Sequence, residues 1–134
     1  MGSEMCIRDS DEAAGAGAGS VTNWGTGSPR REFLHSDDLA DACLYLLEHY
    51  DGPEQVNVGT GTDVTIREIA ETISRAVGFT GETLWDSSKP DGTPQKLLDV
   101  SKLVDLGWTA TISLQQGIER TVEWYRQNVG SIRG

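Results

Sequence analysis

Two capping boxes limit what this chain can fold into more than any other feature of its sequence. Thr65 with Glu68, and Ser113 with Gln116, each set a hydroxyl residue three positions before a Glu or Gln. In such a pair each side chain accepts the other residue's backbone N–H, so donors left orphaned by the first helical turn are satisfied. Behind the first box Ile66, Ile69, Ala70, Ile73 and Val77 recur at helical steps until Gly78. Behind the second come Leu114, Ile118, Thr121, Val122 and Tyr125. Two amphipathic helices with fixed starts follow. A third is predicted from Asp37 or Asp38, burying Leu39, Ala42, Cys43, Leu46, Leu47 and Tyr50 and stopped by "DGP".

Short strand patterns fill the intervals: "VTNW", "REFLH", the alternating Val56 and Val58, and "ETLWD". The first Gly-Thr-Gly, at 25–27, reads as a hairpin turn between two of them. "SSKPDGTPQK" reads as a loop, and Asp99 or Ser101 opens a short helix ending near "LGW". The expectation is one small α/β domain of short strands alternating with about three helices. Residues 1–20, with the low-complexity "DEAAGAGAGS", read as a disordered tail, linker or scar, leaving 21–134 as the folded domain. Gly15, Gly17 and Gly19 lack the spacing and the strand–helix context of a dinucleotide loop.

A formal net charge of −10 argues against general binding to nucleic acid or acidic membranes, because phosphate is repelled over most of the surface. The apolar runs are too short to span a bilayer. Cys6 and Cys43 suggest neither a disulfide framework nor a metal site, and a reducing cytoplasm is the simplest compartment.

Several patterns invite a chemical reading. His35-Ser36-Asp37 resembles a nucleophilic triad, but consecutive strand residues point to opposite faces, so base and nucleophile cannot meet. Asp37, Asp38 and Asp41 could hold a cation, yet the first two are natural caps for the positive end of a helix. Arg30 and Arg31 also alternate in direction, which lets one enter a cleft as a bidentate phosphate ligand while the other stays solvated. In the proline-bounded loop Asp91 is suited to sugar hydroxyls and Lys96 to phosphate, although a plain connector fits equally well.

Taken together, "WGTGSPRREFLHSDDLADA", "NVGTGTDVTIREIAETI" and "SKPDGTPQKLLDVSKLVDLGW" resemble, in that order, the C-terminal part of the GDP-L-fucose synthases. These are extended short-chain dehydrogenase/reductases acting on nucleotide sugars. The resemblance implies an NADPH-dependent enzyme that epimerises GDP-4-keto-6-deoxy-D-mannose at C3 and C5 and then reduces C4. It assigns substrate contact to Trp24, Arg31, Asp91 and Lys96, places the NADPH and catalytic residues outside this chain, and implies a homodimer for the full-length enzyme. The chain itself has no glycine fingerprint and no Tyr followed four residues later by Lys, so it is expected to bind GDP-sugar but to be inactive alone. The competing expectations are a related nucleotide-sugar epimerase, dehydratase or reductase, and a non-catalytic acidic interaction module.

Overall fold

The computed structural model describes residues 3–130, the side chains of 3–6 excepted. In chain order the elements are α1 (Ser3–Gly15), β1 (Ser20–Trp24), β2 (Arg30–Arg31), α2 (Ser36–His49), β3 (Val64–Thr65), α3 (Ile66–Val77), β4 (Glu82–Asp86), β5 (Gln95–Lys96), α4 (Ser101–Asp105) and α5 (Leu114–Asn128). Both capping boxes form as expected. Thr65 and Ser113 each accept the N–H of the residue three on, and Glu68 and Gln116 reach back to theirs. Gly78 ends α3 in the left-handed conformation that glycine adopts without strain.

Two apolar clusters organise the packing. Ile69, Ile73 and Val77 of α3 meet Ile118 and Val122 of α5, joined by Phe79 and by Ile7 of α1. A second cluster gathers Ala42, Leu103 and Trp108. Ile7 is 2% exposed, and α1 lies along α3, so residues 7–15 pack on the core in place of the disorder expected for 1–20 as a tail, linker or scar. The composition of 11–20 concealed this, because small residues can line a close helix contact as readily as a linker. Arg126 of α5 fastens the new helix. It donates to Asp11 Oδ1 at 2.7 Å and to the Val77 carbonyl at 2.8 Å.

The sheet arrangement also departs from expectation. β1 pairs with β4 in parallel, whereas β2 lies between β3, antiparallel, and β5, parallel. The Gly-Thr-Gly at 25–27 therefore carries the chain from one sheet to another and makes no hairpin. Of the "REFLH" stretch only Arg31 is in a strand, together with Arg30 before it, and Val56 and Val58 pair with nothing regular. β5 emerges inside the proline-bounded loop because Arg30 N–H reaches the Pro94 carbonyl.

On α2 the cap is His35, whose Nδ1 accepts the Asp37 N–H at 3.2 Å, in place of either aspartate. The inward face runs through Asp38, Ala42 and the half-buried Tyr45 and Leu46. Cys43 is exposed, as are Leu39 and Leu47, which corrects its assignment to the core. The expected stripe merged two apolar rows about 100° apart, and only one of them meets the second cluster.

Candidate functional site

The four expected contact residues sit along one continuous stretch where β1, β2 and the 87–97 loop approach one another. Trp24 ends β1 and is 64% exposed, with Lys89 Nζ 5.5 Å from its ring centroid. Its indole thus lies in the open beside a cation, with apolar surface free for a flat ligand.

Asp91 bridges the next interval. Its Oδ1 accepts the Thr26 N–H at 2.9 Å and its Oδ2 accepts the Thr26 hydroxyl at 2.7 Å. Those bonds, the hydroxyl first and the amide second, hold its carboxyl below the usual range. The approach is so tight that a Cβ on Gly25, at φ +83°, would run into the Asp91 carboxylate. Asp91 therefore latches the loop to the turn after Trp24. A carboxylate offers about four acceptor sites, so Asp91 keeps acceptor capacity for a further donor.

The two arginines separate as strand alternation requires. Arg30 donates to Asp63 Oδ1 at 2.8 Å and to the Asp63 carbonyl at 2.9 Å, and Gln95 holds the second oxygen of the same carboxylate. Arg31 has no carboxylate partner among the described residues. Its guanidinium donates to the Arg30 carbonyl at 2.7 Å and passes close to Gly92. It also lines a cavity of about 360 Å³ walled by Phe33, Thr60, Thr62 and the segment 109–114. β-ladder register places Lys96 opposite Arg31 across the parallel pair, so the two cations share one face.

Hydroxyl and apolar residues share the cavity wall evenly, and carboxylates hold that wall in place. Asp38, 3% exposed, accepts the Ile112 N–H at 2.9 Å and the Thr111 N–H and hydroxyl at 3.2 and 2.9 Å. Burial alone would raise its carboxyl, but these three donors outweigh that and hold it below the usual range. Asp41 accepts from the Trp108 indole at 2.8 Å. The Asp37, Asp38 and Asp41 group is thus dispersed onto separate protein partners, and among the described residues no cluster is arranged for a metal ion. Asp38 was readable only as a cap, because its partners lie more than 70 residues away.

A nicotinamide dinucleotide does not fit these residues. β1 is followed by a turn into β2 where a dinucleotide site needs a glycine loop opening a helix, so no reaction step can be assigned here to such a cofactor.

Residues 6–59 match the NAD dependent epimerase/dehydratase family. GDP-L-fucose synthase 1 of Arabidopsis thaliana is 57% identical over 123 residues, which is 92% of this chain and 38% of that protein. The GDP-L-fucose synthase of Escherichia coli K12 is 46% identical over 137 residues, or 96% of this chain and 43% of that one. The chain therefore spans about two-fifths of these curated relatives. A match over 96% of the chain necessarily enters residues 1–20, in keeping with the packed α1. Among solved structures, the Naegleria fowleri GDP-L-fucose synthetase bound to NADP superposes with a TM-score of 0.90 at 28% identity, over 96% of this chain and 41% of that one.

Proposed function

We propose that this chain, which belongs to the extended short-chain dehydrogenase/reductases of the NAD dependent epimerase/dehydratase family, supplies the GDP-sugar grip of a GDP-L-fucose synthase. The observation that carries this reading is Arg31. It is a guanidinium free of any carboxylate among the described residues, beside Lys96 and over a cavity lined by both hydroxyl and apolar residues, in a domain of net charge −10. Two adjacent cations in an otherwise acidic domain attract an anion to this place.

In this reading Arg31 and Lys96 offset the charge of the diphosphate. Trp24 packs its open indole against the flat or apolar part of the ligand. Asp91 holds the turn after Trp24 in place and uses its remaining acceptor sites on a sugar hydroxyl. The complete reaction is the conversion of GDP-4-keto-6-deoxy-D-mannose to GDP-L-fucose by epimerisation at C3 and C5 and NADPH-dependent reduction at C4. The cofactor and catalytic groups for it are not in this sequence, which has neither the glycine fingerprint nor the Tyr–Lys pair. We further infer a cytoplasmic homodimer for the complete enzyme, with no nucleic-acid or membrane partner.

Titration of the 134-residue chain with GDP, followed by tryptophan fluorescence, tests the grip. The expected outcome is a saturable change that Arg31→Ala abolishes. No response up to millimolar GDP refutes this reading and favours an interaction module. The same chain incubated with GDP-4-keto-6-deoxymannose and NADPH is expected to consume neither.

A further inference from the structure

We propose that Glu32 is a positioning residue for the Arg31–Lys96 pair, an inference that rests on the GDP-sugar reading above. Glu32 directly follows Arg31, yet its charge is not spent on that guanidinium. Its Oε1 accepts the backbone N–H groups of Thr60 at 2.7 Å and Gly61 at 2.6 Å, with the Thr60 hydroxyl at 3.3 Å. Its Oε2 accepts the Leu98 N–H at 3.3 Å. One side chain therefore holds β2 to the loop that forms one wall of the cavity and to the strand end that carries Lys96.

The fit is built by glycine. Gly61, at φ +72°, turns its N–H alongside that of Thr60, so two consecutive amides converge on one oxygen in an anion nest. At Gly59 a Cβ would stand 2.6 Å from Glu32 Oε1, closer than a Cβ carbon comes to an oxygen without displacing it.

Two consequences follow for an anionic ligand. β2 and β5 share only the two register pairs Arg30↔Gln95 and Arg31↔Lys96, too short a ladder to fix the strand end alone. The Leu98 N–H bond extends the hold two residues past Lys96. Glu32 is turned to backbone donors and makes no ion pair with Arg31 among the described residues, so the adjacent guanidinium stays available to a diphosphate.

The test compares Glu32→Ala and Glu32→Gln with the unsubstituted 134-residue chain by amide-resolved hydrogen exchange and by calorimetric titration with GDP. In Glu32→Ala, exchange at Thr60, Gly61 and Leu98 is expected to rise by about tenfold or more, with α3 and α5 amides unchanged and GDP affinity falling about tenfold. Glu32→Gln keeps one acceptor but sets an amide donor against the Leu98 N–H. It should expose Leu98 alone and fall between the other two in affinity. Lost protection with unchanged GDP affinity in both variants overturns the proposal, as does retained protection in Glu32→Ala. If Glu32→Ala loses protection throughout α3 and α5, the comparison rests on Glu32→Gln, where an exposed Leu98 amide with undiminished affinity is the overturning result. Absence of GDP binding by the unsubstituted chain refutes the substrate reading instead, and the clamp then stands or falls on the exchange pattern.

Discussion

Asp38 shows how a carboxylate with a catalytic look can serve architecture. It is buried, it accepts three donors from Thr111 and Ile112, and those donors belong to a wall of the cavity. Asp38→Asn keeps the size but turns one acceptor into a donor facing N–H groups, and is expected to lower stability by about 2 to 3 kcal/mol in urea unfolding. The pH dependence has a definite sign. Its folded carboxyl lies below the unfolded value of about 3.9, so the stabilisation is whole above that value and is lost as pH falls through the lower folded one. The gap between the unsubstituted chain and Asp38→Asn should therefore narrow only as solutions are taken below about pH 4. A constant gap down to pH 2 would show that the hydrogen-bonded carboxylate is not the source. Strand alternation made the split between Arg30 and Arg31 readable from sequence. The partner of Arg30, Asp63, was not readable, because two-residue strands leave no pattern by which to align them.

At the scale of elements, helix starts were the best encoded feature and strand partners the worst. Thr65 and Ser113 cap α3 and α5 through bonds spanning three residues, so everything needed is local. Thr65→Ala is expected to cost about 1 kcal/mol in thermal unfolding without moving the rest of the helix, and a loss above about 3 kcal/mol would indicate that Thr65 does more than cap. The α2 start was misread because His35 supplies the acceptor, a role its ring nitrogen takes only in the right tautomer. β5 lies in a stretch that reads as loop and β3 shares Thr65 with the helix cap, since two residues each fall below any periodic signal. The latch from Asp91 to Thr26 runs between elements 65 residues apart, and only its turn chemistry was local.

Across the whole molecule, the largest correction concerns α1. Ile7 enters the α3–α5 cluster beside Ile73, which is fully buried, and Arg126 ties Asp11 to the Val77 carbonyl. Ile7→Ala is expected to destabilise the chain by about 2 to 4 kcal/mol in denaturant unfolding, the usual effect of emptying a closed core position. A change below about 0.5 kcal/mol would return residues 1–20 to the status of a tail. By itself the sequence determined the capped helices, the α/β class, the opposing directions of Arg30 and Arg31, and a family resemblance that the comparisons share. The first three depend on spacings of two to four residues, where backbone geometry acts directly, and the resemblance rests on the wording of three longer stretches. Tertiary structure alone decided which sheet each strand joins, that α1 packs, and which oxygen each of Glu32, Asp38, Asp63 and Asp91 gives to which donor. Those contacts join residues 28 to 74 positions apart, and no local period records a partner that far along the chain.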